Sequence, residues 1–404
     1  MKALSNATLF DFETYRPGNY LLFDKTVVAT GPMEEFPGAD QVTDVAGAWV
    51  MPGLVAGHTH LFKTFARGWD GEGARRGFVD GLDLEAVAFS GRVGALASLK
   101  AGITTVVDHH ASGAVGGSLT ALRNTVVDET GLRGIFAFEA NNTFDLEACI
   151  EESKSFARHP GPRSAGMLGL TAGPSLSDKS LDRVARTTGT LPIHVHLGGT
   201  PENTGTMSRL EARGLWRPGS LAVYEGSVDA AELELLASRA VPLVLNPSSM
   251  LSTGWGVPDL RMLHGTGIKT TLGTDGLGFG LGTEMRNLVL GQPRGTDCRT
   301  ALDATVATLR ATWEFAGDAL GCQLGRFVPG YEADFVVVEY QAPSPLDTSN
   351  ALTHWFQGLL EAWHPRYVWV AGTPRLTDFK PAVHEAELHR EARRVAAALW
   401  KRLL

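Results

Sequence analysis

Four residues at the ends of apolar segments have side chains that could bind a metal ion. His58 and His60 end one apolar run, and side chains two residues apart on a strand point the same way. His196 and Asp275 end two later apolar runs. Three imidazoles and one carboxylate suit Zn²⁺, with Fe²⁺ or Mn²⁺ as alternatives. Each histidine taken alone fits a hydrogen-bonded core residue, whereas the set together indicates one divalent metal ion.

The middle of the chain predicts the scaffold that would bring these residues together. Short apolar segments alternate with stretches of helical apolar spacing, which is typical of a parallel βα repeat. The eight candidate strands are residues 54–60, 104–110, 134–141, 166–173, 191–198, 221–226, 242–247 and 269–276. Eight such units in about 250 residues predict a TIM-type (β/α)8 barrel, which we place at residues 53–325. The polar residues that end its strands should meet at one rim.

The two ends of the chain have a different sequence pattern, in which short runs of strand-forming residues are separated by turns that contain Gly, Pro and Asp. Neither end is long enough to close a β-domain alone. We therefore predict one small composite β-sandwich built from residues 1–52 and 326–384. Residues 385–404 carry leucine and valine at helical spacing with many charges between them, which predicts an amphipathic docking helix.

Charge and composition exclude several classes of function. The 404 residues include 36 Lys and Arg against 44 Asp and Glu, a net charge of −8, so no nucleic-acid partner is expected. No apolar run reaches the roughly 18 residues of a membrane helix, and the N-terminal segment lacks the apolar core of a signal peptide. The sequence therefore predicts a cytoplasmic protein with a small-molecule substrate, and it leaves a homo-oligomer open.

Several motifs resemble those of the amidohydrolase superfamily. Residues 50–60 (VMPGLVAGHTH) are similar to its PGLVxxHxH signature, and residues 272–276 (LGTDG) to its LGTDG motif. Residues 245–249 (LNPSS) resemble the HNPxSN segment, and residues 330–335 (GYEADF) resemble the segment that returns the chain to the β-domain. The resemblance covers nearly the whole chain. It points to the cytosine deaminase and chlorohydrolase branch, closest to the SsnA-type aminohydrolases, whose DHHAS segment is similar to residues 108–112.

The resemblance implies a barrel with a composite β-sandwich and hydrolysis of C–N bonds other than peptide bonds, or of related bonds. It implies one metal ion on His58, His60, His196 and Asp275, all of which are present. In that branch the ion activates a water molecule, and the strand-eight Asp, here Asp275, accepts the proton that the water loses. Relatives with two metal ions need a Lys at the end of strand four. Residues 170–173 (LTAG) lack it, so a single ion is expected.

The chain departs from the family at the residues that handle protons. The Glu that shuttles protons in the family, three residues after the strand-five His, corresponds to Gly199. The strand-six His that orients the water corresponds to Tyr224. General acid–base catalysis is typically worth about 10²–10⁴-fold in rate. Ordinary deaminase activity should therefore be very low unless other groups substitute.

Several residues are candidates for that substitution. Glu202 lies on the loop after strand five, although a loop carboxylate is more often simply solvated. Glu225 adjoins Tyr224, whose hydroxyl could donate a hydrogen bond to the water or could instead plug the pocket. His109 and His110 end strand two, where alternation lets only one of the pair face the barrel axis.

Two hypotheses remain. The first is a metal-dependent hydrolase of the aminohydrolase class, with His110 and Asn246 expected to bind the substrate. The second is a metal-binding but catalytically silent relative that acts through a ligand or a partner. The intact metal ligands favour the first, because drift after loss of catalysis should erode them too. The altered proton-handling residues favour the second.

Overall fold

The computed structural model describes residues 1–68, 72–113, 115–141, 143–171, 176–197, 205–226 and 228–403. Within these residues an eight-stranded parallel sheet forms a nearly closed barrel, and a nine-stranded mixed sheet lies beside it. The predicted fold class, a (β/α)8 barrel with a second β-unit built from both ends of the chain, is confirmed. None of the described helices combines the length and the apolar content that crossing a bilayer requires.

The chain begins with strands of the mixed sheet. They are β1 (Lys2–Phe10), β2 (Tyr15–Phe23), β3 (Val27–Pro32), β4 (Gln41–Asp44) and β5 (Trp49–Pro52). β1 pairs antiparallel with β2 and parallel with β4 and β5. The β-type runs at residues 20–23, 26–29 and 48–51 of the sequence correspond to parts of β2, β3 and β5, whereas the sequence does not predict β1. Residues 5–8 (SNAT) are small or polar, and Thr8 is the one β-branched side chain among them, so they do not indicate a strand, although Leu4 and Leu9 are fully buried.

The barrel follows in the predicted strand order. Its strands are β6 (Leu54–Thr59), β7 (Ile103–His110), β8 (Arg133–Ala140), β9 (Ser164–Thr171), β10 (Ile193–His196), β11 (Leu221–Val223), β12 (Leu243–Leu245) and β13 (Thr270–Leu272). The ring closes where the Thr274 N–H donates to the carbonyl of His58 at 2.8 Å and Thr59 bridges Asp275. The last four strands are shorter than predicted. The polar residues at the carboxyl ends of β12 and β13 lie outside the strands. Asn246 is the N-cap residue of a helix, and Asp275 has a left-handed backbone with φ of 54°.

Helices alternate with the barrel strands and cover its outside. They are α1 (Glu72–Gly81), α2 (Leu84–Lys100), α3 (Ser118–Arg123), α4 (Leu146–Arg158), α5 (Asp178–Thr187), α6 (Thr206–Glu211), α7 (Ala230–Ser238), α8 (Pro247–Ser252), α9 (Leu260–Gly265), α10 (Leu281–Leu290) and α11 (Cys298–Leu320). A short 3₁₀ helix, Leu61–Ala66, follows β6 directly. The long α11 buries Leu302, Leu309 and Trp313, and the indole N–H of Trp313 donates to the carbonyl of Gly53 at 2.7 Å. This contact fixes α11 against the start of β6.

The C-terminal segment completes the mixed sheet. It contains β14 (Phe335–Val338), α12 (Ala351–His354), β15 (Tyr367–Val370), β16 (Thr373–Thr377), β17 (Lys380–Pro381) and α13 (Glu385–Leu403). β14 pairs antiparallel with β5, with Val337 opposite Val50, so strands from both ends of the chain share one sheet. α13 buries Leu388, Val395 and Leu399, and it packs against α2.

A buried ion pair links the barrel to the mixed sheet, at the end of the barrel away from the polar rim. Arg133 begins β8, and its side chain is 4% exposed. Its Nε and Nη2 donate to the two carboxylate oxygens of Asp334 at 2.7 and 2.9 Å, and Nη2 also donates to Glu332 at 2.6 Å. Asp334 also accepts the N–H of Ala371 at 2.6 Å. The GYEADF segment therefore supplies the carboxylates that hold the two sheets together.

Replacing Arg133 by methionine should destabilise the protein strongly. Removing one partner of a buried pair leaves the other charge uncompensated, which typically costs about 3–5 kcal/mol. The matched control is Arg299→Met, because Arg299 and Asp303 form a pair whose side chains are 61% and 55% exposed. Exposed pairs contribute about 0–1 kcal/mol. Urea unfolding of both variants measures the difference, and equal free energies of unfolding would contradict this reading of the link.

Candidate metal centre

Three histidines meet inside the barrel at the carboxyl ends of its strands. His58 and His60 lie on the same side of the chain at the end of β6, with ring centroids 4.7 Å apart. His196 is the last residue of β10, and its ring lies 4.8 Å from that of His58 and 5.2 Å from that of His60. All three are buried, and one nitrogen of each ring lies within 4.8 Å of the other two. We call these three residues the histidine cluster.

Each ring of the histidine cluster is held through its Nδ1 atom. The partners of Nδ1 in His58, His60 and His196 are His194 Nε2 at 2.9 Å, the carbonyl oxygen of His109 at 2.6 Å and Glu225 Oε1 at 2.6 Å. The three Nε2 atoms are buried and make no hydrogen bond within the described part of the chain. Buried polar atoms normally have partners, and imidazole nitrogens are common ligands of divalent metals. The histidine cluster therefore fits a metal ion.

Asp275 adds a carboxylate to the histidine cluster. Its Oδ1 lies 3.1 Å from His60 Nε2 and 3.7 Å from His58 Nε2, without hydrogen-bond geometry. The same Oδ1 accepts a hydrogen bond from Lys63 Nζ at 3.0 Å, and Oδ2 accepts one from Ser249 Oγ at 2.6 Å. The left-handed backbone at Asp275, tolerated by Asp more readily than by most residues, lies where the barrel closes.

Burial and charge set the protonation states that a metal ion needs. Burial lowers the pKa of His58 to about 3 and that of His60 well below its usual value, so both rings are neutral near pH 7. Burial opposes ionisation of Asp275, but the Lys63 ammonium and the contacts with His58 and His60 hold its pKa well below the usual range. Neutral imidazoles beside an ionised carboxylate are the states that bind a divalent cation.

The two histidines that end β7 face different surroundings, as strand alternation predicts. The ring of His109 lies 4.7 Å from that of His196, next to the histidine cluster. His109 Nε2 is 3.5 Å from the carboxylate of Glu139. Burial alone would raise the pKa of Glu139, but its contacts with His109 and Asn141 lower that pKa to about 2. His110 instead contacts Ser112 Oγ at 3.1 Å and packs its ring against aromatic side chains. His109 is therefore the member of the pair that adjoins the cluster.

The remaining residues that the sequence predicts at the site are Asn246, Tyr224, Gly199 and Glu202. Asn246 is buried at the start of α8 beside Gly273, where a Cβ would lie 2.7 Å from the carbonyl oxygen of His58, so glycine is needed at that position. Tyr224 is half-buried, and its hydroxyl donates to the carbonyl of Gly226 at 3.3 Å. Gly199 and Glu202 lie outside the described residues.

Three residues that contact the site are absent from the sequence-based candidates. Lys63 and Ser249 both bind Asp275, and His194 holds His58. His194 could have been found, because it precedes His196 with the same spacing as His58 and His60. Ser249 lies in a motif that was recognised without its contact. Lys63 follows the strand within a 3₁₀ turn, and no sequence signal indicated that it reaches Asp275.

Comparison with known proteins identifies a family, a curated relative and two similar folds. The sequence model of the Amidohydrolase family matches residues 49–375. The chain is 24% identical to a 5'-deoxyadenosine deaminase of Methanothermobacter thermautotrophicus over 87% of each chain. Its fold is similar to that of an adenosine deaminase of Xanthomonas campestris with bound zinc (TM-score 0.83, 20% identity, 99% of this chain and 98% of that one). It is also similar to atrazine chlorohydrolase of Arthrobacter aurescens complexed with zinc (TM-score 0.81, 18% identity, 99% and 100%).

Proposed function

This chain belongs to the amidohydrolase family, and on that basis we propose that it is a metal-dependent hydrolase that cleaves a C–N or related bond of a small molecule. The observation that carries the proposal is the histidine cluster, whose three Nε2 atoms lack hydrogen-bond partners in the described residues and adjoin the Asp275 carboxylate. The deaminase and chlorohydrolase relatives support the reaction class. An aminated heterocycle is the substrate class that fits both kinds of relative.

His58, His60, His196 and Asp275 would hold one divalent ion, and zinc is the ion found in the two similar structures. When bound, such an ion supplies an activated water molecule as the nucleophile. Asp275 would accept the proton of that water at its carboxylate, which faces the histidine cluster through Oδ1. Ser249 fixes the orientation of the carboxylate by donating to Oδ2. Because burial keeps His58 and His60 neutral, Asp275 is the anionic base of this set.

His109 and Glu139 would form the side of the site that faces the substrate. Both ring nitrogens of His109 are buried and make no hydrogen bond to any described residue. Glu139 Oε1 accepts from Asn141 Nδ2 at 2.7 Å, while Oε2 lies 3.5 Å from the His109 ring. A largely buried carboxylate, beside an imidazole that lacks a hydrogen-bond partner among the described residues, suits a ligand edge that carries N–H groups, such as an aminated heterocycle.

The second hypothesis, a catalytically silent metal-binding relative, is supported by Lys63. Its ammonium lies 3.0 Å from Asp275 Oδ1, the oxygen that faces the histidine cluster. A cation held there competes with a divalent ion for the carboxylate and blocks its use as a base. A small-molecule ligand could then bind without being hydrolysed.

Turnover by the zinc-loaded protein separates the two hypotheses. The substrates to test are adenosine, 5'-deoxyadenosine and aminopyrimidines, with ammonia release as the readout, and atrazine, with chloride release. The control is the same protein after chelation and dialysis. Zinc-dependent release at a kcat of about 1–10³ s⁻¹ would support a hydrolase. Bound zinc with no turnover would support the silent relative, and turnover unaffected by chelation would contradict both.

Metal content tests the ligand set independently of any substrate. His58→Ala and His196→Ala should each lower the zinc that co-purifies with the protein, because each removes one of the buried nitrogens of the histidine cluster. His159→Ala is the control, since His159 is exposed at the end of α4. Elemental analysis gives the stoichiometry. A zinc content that stays the same in all three variants would exclude the histidine cluster as the site.

A further inference from the structure

Within the histidine cluster, His196 differs from His58 and His60 because its Nδ1 atom contacts a carboxylate. Its Nδ1 lies 2.6 Å from Glu225 Oε1, and the His196 side chain is 8% exposed against 36% for Glu225. The corresponding partners of His58 and His60 are an imidazole and a backbone carbonyl. A charged acceptor makes a stronger hydrogen bond to an N–H than a neutral acceptor does. Glu225 is therefore the strongest orienting group on the histidine cluster.

The register of the barrel explains why Glu225 reaches this ring. His196 is paired with Val223 across the parallel strands β10 and β11. Glu225 follows Val223, the last residue of β11, by two residues, and the Tyr224 N–H between them still donates to the carbonyl of Val244 at 3.0 Å. Continued alternation then places the Glu225 side chain on the side of the chain that faces His196. Tyr224, between them, uses its hydroxyl on the carbonyl of Gly226 instead. The contact follows from strand pairing and does not depend on a long loop.

We propose that Glu225 is a positioning residue that holds His196 with its proton on Nδ1, so that the lone pair on Nε2 is available to the metal ion. An ionised carboxylate only accepts hydrogen bonds, so the N–H of the pair must be on Nδ1. His196 Nε2 is buried and has no hydrogen-bond partner among the residues that the structure describes. A carboxylate on the outer nitrogen also raises the basicity of a ligating histidine. The inference rests on the metal site of the proposed function.

The same contact favours one of two roles for Glu225. A group that replaces the Glu missing at position 199 must reach the reacting atoms. Glu225 Oε1 instead contacts Nδ1 of His196, the ring nitrogen other than the Nε2 that would bind the metal ion. This contact fits a group that orients a ligand.

Two variants of Glu225 and a matched surface variant test the proposal by zinc affinity. Glu225→Ala should weaken zinc binding about 10–100-fold in competition with a chelator. Glu225→Gln should weaken it only a few-fold, because the amide oxygen still accepts the N–H on Nδ1. Glu234→Ala removes the same charge from an exposed position on α7 and should bind zinc as the unmodified protein does. Zinc affinity of Glu225→Ala within two- to three-fold of that of the unmodified protein would overturn the proposal.

Nitrogen chemical shifts of the histidine rings give a readout that needs no metal. In the metal-free protein, labelled with ¹⁵N and assigned with the aid of His196→Ala, the His196 ring should show a protonated Nδ1 and a bare Nε2. Glu225→Ala should lose that preference, and Glu225→Gln should keep it. A proton on Nε2 in the unmodified protein would overturn the proposal even if zinc never bound. A failure of the unmodified protein to bind zinc, with the expected shifts, would instead count against the proposed function alone.

Discussion

The metal-free protein should lose its folded structure steeply as the pH falls from 6.5 towards 4.5. Burial lowers the pKa of His58 to about 3, of His109 to about 4 and of His110 to about 3. It also lowers the pKa of His60 and His194 well below the usual value. These five rings stay neutral in the folded protein while they take up protons in the unfolded chain below about pH 6.5. Because the unfolded chain binds more protons at these rings, a fall in pH shifts the folding equilibrium towards the unfolded state.

Two buried carboxyls act in the opposite direction. Burial raises the pKa of Asp108 and of Glu284 to about 7, whereas both should titrate near pH 4 when unfolded. Between pH 4 and 7 the folded state binds these two protons and the unfolded state does not. The unfolded chain then binds a net excess of about three protons, which at about 1.4 kcal/mol per proton and pH unit gives a slope of about 4 kcal/mol per pH unit. The total free energy of unfolding of a typical domain is only about 5–15 kcal/mol, so a change of this size over two pH units is large.

Urea unfolding at half-unit steps from pH 7.5 to 4.5 measures this slope. His110→Leu should flatten it by about one proton, because that ring packs among aromatic side chains outside the histidine cluster. His384→Ala, which removes an exposed imidazole, should leave the profile as it is. A free energy of unfolding that does not change between pH 6.5 and 5 would show that these rings are not buried as neutral groups.

Asp275→Asn should reduce zinc-dependent hydrolysis by at least about 10³-fold. The change keeps the shape of the side chain but removes the anionic base, and general base catalysis is typically worth about 10²–10⁴-fold. Loss of a charged ligand should weaken metal binding as well. Rates must therefore be compared per bound zinc, with kcat from steady-state assays and zinc from elemental analysis of the same sample.

Ser249→Ala is the matched variant for that experiment. It removes the hydrogen bond to Asp275 Oδ2 and leaves the carboxylate in place, so kcat should fall only several-fold. Comparison of the two variants separates the effect on kcat of losing the carboxylate from the effect of losing the hydrogen bond that orients it. If Asp275→Asn kept a kcat within ten-fold of the unmodified protein at equal zinc content, another group would have to take the proton, and His109, whose ring lies 4.7 Å from that of His196, would be the first candidate.

The sequence predicts the scaffold and the residues that the barrel brings together, but not how their side chains are held. His58 and His60 follow from strand alternation, and His196 and Asp275 from their places at strand ends, so the motif and the period suffice. The contacts of Lys63 and Glu225 depend on rotamers and on the exact register between strands, which no local pattern encodes. β1 was missed for a related reason. Leu4 and Leu9 are buried in a cluster with Phe335 and Trp369, which are distant in sequence, and the residue types of β1 alone do not indicate this burial.

Ring closure between the first and last barrel strands has a consequence for biosynthesis. Thr59 and Thr274, whose hydroxyls meet at 3.1 Å beside the histidine cluster, are 215 positions apart in the chain. At about 5–20 residues per second, a ribosome adds Asp275 roughly 10–40 s after His60. Over that interval the nascent chain has the first two histidines but not the carboxylate opposite them. The four-residue site is therefore completed late in translation, and an ion bound by all four residues must be acquired after that point.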